Sequence, residues 1–188
     1  MLFPTFTFFA FFVLVLLLNW TLKKYHFAWR IFLLAASSFL YATWNLYFLG
    51  IITAVILFNF YSASFINNAA EEKKRKLLLG VTLAVNILFL GFFKYFNFFR
   101  ESAEALLNNF GFGSDHFLIN IILPIGLSFY ILRAISYKID VFRKTMTPER
   151  SLLDFSIYIS FFPQLLSGPI MRACEFLPQL KSGGAKTI

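Results

Sequence analysis

The sequence predicts an all-α, polytopic transmembrane helical bundle with shorter re-entrant or interfacial helices beside it. Three observations carry that expectation. Hydrophobic residues make up 59% of the chain and charged residues 14%, at a mean hydropathy of +0.72, whereas a soluble domain has about 25% charged residues. The apolar residues come in long, nearly uninterrupted runs. The basic residues cluster in every second connection between those runs, which accounts for a net charge of +8 through membrane topology and excludes nucleic acid as the partner it would otherwise suggest.

Taken in order, residues 3–22 form the first span: uncharged, followed by Lys23 and Lys24, with no basic residue before it and no small-residue cleavage site after it. That pattern predicts a retained span with its N-terminus outside, not a removed leader. The Asn19-Trp20-Thr21 sequon sits at a span end and carries no weight. Residues 31–47 and 48–66 read as two spans joined by a tight turn near Trp44-Asn45, with Tyr41, Trp44 and Tyr47 suited to an interface. Residues 67–76 are a solvated, charge-rich loop. Residues 77–93 form a fourth span, running into an aromatic, basic headgroup stretch over 94–100 and a surface helix over 101–109 that stops at Gly111–Ser114. Residues 119–141 form the fifth span.

Inside loops are expected to hold Lys23, Lys24, Arg30, Lys73, Lys74, Arg75, Lys76, Lys138, Arg143, Lys144 and Arg150; outside segments hold only Lys94 and Arg100. This is a strong positive-inside signal. Beyond the fifth span, Asp154 opens or caps a helix that Pro163 interrupts, and Gly168-Pro169 and Pro178 break the chain again. No piece reaches the roughly 20 residues needed to cross, so residues 151–180 are expected to form re-entrant helices starting on the inside. Residues 1–180 make one membrane domain and 181–188 a polar tail.

The fifth span carries the most informative pattern. Gly126, Tyr130, Arg133, Tyr137 and Asp140 share one helical stripe, while Phe129, Leu132, Ile139 and Phe142 fall opposite. Pro124 suits the first helical turn. Arg133 then lies about 14 Å along the helix, near the middle of a bilayer, where a charge must face protein or water. The stripe is therefore expected to point inward, and Arg133, Tyr137 and Asp140 are spaced to satisfy one another.

Two stretches resemble the membrane-bound O-acyltransferase family. Residues 123–143 match its Leu-Pro-x-Gly-x-Ser-Phe-Tyr … Ser-Tyr-x-x-Asp-x-(Tyr/Phe)-Arg pattern, and residues 161–172 match Phe-Phe-Pro-Gln … Gly-Pro-Ile-x-Arg, continued by Phe176–Leu180. Ser37–Trp44 and Phe92–Phe96 resemble the bacterial alginate O-acetyltransferase branch. The resemblance covers residues 1–180 and implies transfer of an acyl group, most simply acetyl, from a cytoplasmic donor (acetyl-coenzyme A or another acyl carrier) through the bilayer to an extracytoplasmic polysaccharide such as alginate. It implies no bound cofactor, a bacterial inner-membrane location, and an extracytoplasmic acyltransferase partner protein. It also implies a longer protein, with the family's general acid–base histidine beyond Ile188. This chain is thus expected to be an N-terminal portion, or a truncated product, without the catalytic centre. One departure stands inside the motif: Leu132-Arg133 occupies the place where the family often has Phe-Gln.

No catalytic residue is therefore assigned within the chain. Tyr130, Arg133, Tyr137 and Asp140 are candidates to line the acyl tunnel, against the alternative of a polar seam between helices. Gln164, Gly168, Pro169 and Arg172 are candidates to shape a cytoplasmic funnel, against re-entry alone. His26 and His116 lie in loops without a desolvated site and do not match the family histidine. Ser128 has no histidine in view, Cys174 reads as inert packing, and no cluster has metal-ligand spacing. A transporter or a non-catalytic membrane scaffold is the competing reading, because broken helices around a polar mid-membrane stripe suit both.

Overall fold

A computed structural model describes residues 6–109, 122–167 and 171–183. Among them all regular structure is helical: α1 (Phe6–Leu22), α2 (His26–Trp44), α3 (Leu46–Asn68), α4 (Glu72–Asn109), α5 (Leu127–Phe142), α6 (Leu152–Ser160), α7 (Phe162–Ser167) and α8 (Ala173–Lys181). The chain is an all-α membrane helical protein. The helices of α2, α3 and the Glu72–Glu104 part of α4 are long and apolar enough to cross a membrane. Helix α1, at 17 residues, is apolar on every side and buries only Val15, as expected of a helix set in lipid.

Short turns make successive helices antiparallel. Asn45 is the turn between α2 and α3 and the N-cap of α3, its side chain accepting the Tyr47 N–H at 2.9 Å. The charged loop is shorter than expected, because α3 runs on to Asn68 and α4 begins at Glu72. His26 and Arg30, expected in a loop, form the first turns of α2. Arg75, at the start of α4, donates to the Ile66 carbonyl of α3 (3.3 Å) and the Phe142 carbonyl of α5 (2.7 Å). The end of α3, the start of α4 and the end of α5 therefore meet at one basic end of the bundle.

Three expectations change. Residues 94–109 are not a separate headgroup stretch and surface helix but continue α4, a single helix of 38 residues. No proline interrupts this stretch, and at about 1.5 Å per residue the helix is about 57 Å long, well beyond the hydrocarbon core. Helix α5 does not begin near residue 119. Residues 119–121 lie outside the described residues, Ile122–Pro124 is non-helical, and Gly126 precedes the helix in the left-handed conformation (φ 74°, ψ 4°). Pro124 stands just before the first turn, its carbonyl accepting the Leu127 N–H at 3.2 Å. Sixteen residues remain, too few to cross alone. Lys138, expected in a basic loop, is fully buried in α5, with Nζ donating to the Thr82 carbonyl at 3.0 Å and facing the Phe58 ring at 5.4 Å.

The segment after α5 leaves the basic end and returns to it. Ser151, not Asp154, caps α6 by accepting the Asp154 N–H. The Asp154 carboxylate instead accepts from Arg30 Nη1 at 2.9 and 3.0 Å, pinning the start of α6 to the start of α2. Helix α6 then climbs along α2 until the Phe162 N–H reaches the Ser37 hydroxyl, seven residues beyond Arg30 on α2, or about 10 Å. Phe162 wedges between Phe11 and Phe12 of α1 at ring separations of 5.7 and 6.3 Å. Helix α8 comes back down against α6 and α5, and Lys181 at its end pairs with Glu149 at 2.7 Å. Pro178 does not break α8 but lies within it.

Candidate functional site

The site grows from the stripe on α5. Leu127, Ile131, Ala134 and Val141 anchor this helix in the core, every one of them 1% exposed or less. The polar stripe is buried with them: Tyr130 and Tyr137 show no exposed surface, Arg133 1% and Asp140 6%. Phe129 and Leu132, on the opposite side, are exposed. Periodicity thus distributes the residues, and packing against α3, α4, α6 and α8 decides what each meets.

Arg133 meets the turning point of the hairpin. Its Nη1 donates weakly to the Ile159 carbonyl at 3.5 Å. Its guanidinium carbon stands 5.0 Å from the centre of the Tyr158 ring and 6.0 Å from that of Phe176. Tyr158 belongs to an aromatic cluster with Tyr137, Phe155 and Phe176 at ring separations of 5.6 to 6.4 Å. Tyr41 of α2, expected at an interface, is buried. Among the described residues no carboxylate lies within ion-pair distance of Arg133.

The stripe does not satisfy itself. The Tyr137 hydroxyl is used elsewhere, accepting the Glu149 N–H at 2.8 Å. Glu149 in turn accepts the N–H groups of Arg150 and Ser151 and pairs with Lys181. The Tyr130 hydroxyl, Arg133 Nη2 and Asp140 Oδ2 are buried without a hydrogen-bond partner, and so is Oε1 of Gln164. Buried polar groups are paired in nine cases of ten or more, so four orphans on four of the candidate residues are a distinctive feature. The funnel candidates, Gln164 included, separate from the α5 stripe. Helix α7, which carries Gln164, packs on α2; Arg172 is exposed ahead of α8; Gly168 and Pro169 lie outside the described residues. His116 lies outside them too. His26 stands edge-on to Trp29 with ring centres 5.8 Å apart.

In sequence, the chain is 38% identical over 156 residues to the probable alginate O-acetylase AlgI of Pseudomonas putida. It is 39% identical over 154 residues to the protein of that name in Azotobacter vinelandii. The chain belongs to the membrane-bound O-acyltransferase family. The peptidoglycan O-acetyltransferase of Helicobacter pylori is 32% identical over 177 residues. These alignments cover 81%, 80% and 81% of this chain but 32%, 30% and 32% of the respective relatives. The chain thus spans about a third of the length of the curated relatives it matches. No family model matches the chain, and no solved structure matches it significantly.

Sequence reasoning missed a second polar group, in the α3–α4–α5 interface. Asn59 and Asn86 exchange amide hydrogen bonds at 3.2 and 3.0 Å. Asn59 also donates to the Val55 carbonyl and Asn86 to the Thr82 carbonyl, both at 2.8 Å. The Thr82 carbonyl is the one that receives Lys138. The available signal was a single asparagine in each of two otherwise apolar runs, a usual mark of helix–helix hydrogen bonding in lipid. Among the described residues no group of histidine, cysteine, aspartate or glutamate could hold a metal ion.

Proposed function

We propose that this chain is part of an O-acyltransferase that carries an acetyl group from a cytoplasmic donor, acetyl-coenzyme A or another acyl carrier, to an extracytoplasmic polysaccharide. The names of the relatives, alginate O-acetylase and peptidoglycan O-acetyltransferase, support this reading. In it the basic end faces the cytoplasm of a bacterial inner membrane and the N-terminus lies outside, in keeping with the positive-inside rule. Tyr130, Arg133, Tyr137 and Asp140 line the path of the acyl group, and Gln164, Gly168, Pro169 and Arg172 shape its funnel. The catalytic histidine belongs to the part of the relatives that this chain does not span, and an extracytoplasmic acyltransferase partner completes delivery to the polymer.

The observation that carries the proposal is the set of four buried, unpartnered polar atoms on Tyr130, Arg133, Asp140 and Gln164. A seam that only joins helices is stabilised by closing its hydrogen bonds, as Asn59 and Asn86 do. A path for a polar solute needs groups left open to it. The test is Arg133→Leu in cells producing the whole protein, with acetyl ester on the polysaccharide measured beside the protein's membrane abundance. Transfer should fall much further than abundance. Equal losses of both would return the stripe to a structural role.

A further inference from the structure

The basic end carries a surplus of charge in one place. Over Glu71–Lys76 and Arg143–Lys144, six cations face two carboxylates. Glu71 pairs with Lys74 at 3.2 Å and Glu72 with Lys76 at 2.7 Å. Among the described residues no acid lies within ion-pair distance of Lys73, Arg143 or Lys144. The two segments meet. Arg75 donates to the Phe142 carbonyl at 2.7 Å, and its guanidinium carbon lies 5.2 Å from the centre of the Phe142 ring. The Glu72 carboxyl, exposed in the charged first turn of α4 ahead of the apolar stretch that begins at Leu77, is held below its ordinary range by Lys76 first and then by Arg75 and Lys144. The end of α5 and the start of α4 thus bring their cations to one locality.

Each helix runs away from these cations with an open stripe. On α4, Lys73, Lys76, Gly80, Leu83 and Ile87 lie at spacings 3, 4, 3 and 4. Gly80 is exposed, with nothing within 4 Å of where its Cβ would stand, and Ile87 is 59% exposed. On α5, Arg143, Ile139, Ser136 and Leu132 lie at spacings 4, 3 and 4, and Leu132 is 43% exposed. The two helices pack on each other. Lys144 adds a separate observation. Among the described residues it alone, glycines aside, has a positive φ, of 59°. It stands just past α5, where glycine usually closes a helix, and the Asp140 carbonyl accepts the Thr145 N–H and hydroxyl at 3.1 and 2.8 Å. A lysine strains this backbone where glycine would not, and such strain is kept where function needs the side chain. Membrane topology asks for a cation somewhere in the loop, not at this position.

We propose that the phosphate of an anionic phospholipid binds between Lys73 and Lys76 of α4 and Arg143 and Lys144 at the end of α5, with its tails along the two stripes. The excess of positive charge selects a headgroup of net negative charge. A zwitterionic headgroup brings its own ammonium, which the surplus repels. The lipid then clamps α5, a helix of 16 residues, to the membrane-crossing α4 at the end where Arg75 already joins them. The site stands apart from the acyl-transfer reading, because it is read out by lipid binding and not by transfer.

The test is native mass spectrometry of the whole protein in a non-ionic detergent, with equal amounts of palmitoyl-oleoyl phosphatidylglycerol and phosphatidylcholine. The wild type should retain phosphatidylglycerol in preference. A cation near a membrane surface is worth about five-fold in affinity for an anionic lipid. Lys144→Gly should therefore bind phosphatidylglycerol about five-fold more weakly, and Lys144→Gly with Arg143→Gln about 25-fold, with phosphatidylcholine unchanged. Lys144→Gly relieves the left-handed backbone, so it decides the matter even where the double variant fails to accumulate. Gly80→Leu, which grows into open space, should also weaken phosphatidylglycerol binding. Lys24→Gln, which removes an exposed cation between α1 and α2 at the same end, should leave it unchanged. Equal retention of the two lipids, or equal losses in Lys24→Gln and Lys144→Gly, would overturn the site and leave these cations to topology alone. Displacement of phosphatidylglycerol by acetyl-coenzyme A would assign them to a soluble anion and overturn it too.

Discussion

Replacing Asn86 by leucine should destabilise the bundle, and replacing Asn59 as well should restore most of the loss. The two residues are 2% and 0% exposed, and each amide gives one N–H to the other's carbonyl oxygen. Asn86→Leu removes both bonds and strands the Asn59 oxygen against apolar side chains. An unsatisfied buried acceptor costs about 1–3 kcal/mol. Hydrogen bonds between transmembrane helices are measured at about 0.6–2 kcal/mol, so a loss of about 1–2 kcal/mol is expected for either single variant. The double variant packs leucine against leucine and leaves no amide stranded. Val55 and Thr82 lose only a second partner for carbonyls that keep their helical bonds. The cycle should therefore be non-additive by about 1 kcal/mol or more. The assay is unfolding in mixed micelles titrated with a denaturing detergent. Single variants as stable as the wild type, or a double variant as unstable as the sum of the singles, would refute the reasoning.

Two further outcomes follow from the ion pairs at the basic end. Arg30→Leu should cost more than Asp154→Leu: the first leaves a carboxylate whose side chain is 2% exposed, in the range of about 3–5 kcal/mol, whereas the second leaves an arginine 23% exposed that reaches water. Comparing their melting temperatures in detergent checks the order. Lys181→Ala should loosen the returning arm of the hairpin without unfolding the bundle, because Glu149 keeps its bonds to Arg150 and Ser151. Faster hydrogen exchange confined to Ala173–Lys181 is the expected result.

Much of this architecture was legible because a membrane restricts what a sequence can do. The apolar runs, the Asn45 turn and the 3–4 spacing of Tyr130, Arg133, Tyr137 and Asp140 each have one economical reading in lipid. What failed was of two kinds. Local rules competed: Pro124 fits a first turn, but Gly126 takes up the left-handed conformation and sets the start of α5, and Pro178 sits inside a helix whose flanks are held by packing. Aromatic, basic residues 94–100 look like a headgroup break, yet nothing in them stops a helix that is already propagating. The other failures needed partners far away in the chain. Lys138 reads as a loop cation until Thr82 and Phe58 are placed around it, and Arg30 finds Asp154 across 124 residues. Periodicity also could not say that Tyr137 would turn to Glu149 and leave Arg133 and Asp140 unanswered.

The most direct measurement of the central claim is the reactivity of Asp140→Cys, in a Cys174→Ser background, toward a small charged thiol reagent applied to the basic end of vesicles containing the whole protein. Asp140 is 6% exposed and lies on the stripe toward that end. If the stripe lines a solute path, the thiol should be modified, and acetyl-coenzyme A should slow the modification. A thiol that stays unmodified while Arg143→Cys, at an exposed position of the same end in the same background, reacts would contradict it, leaving the stripe as interior packing.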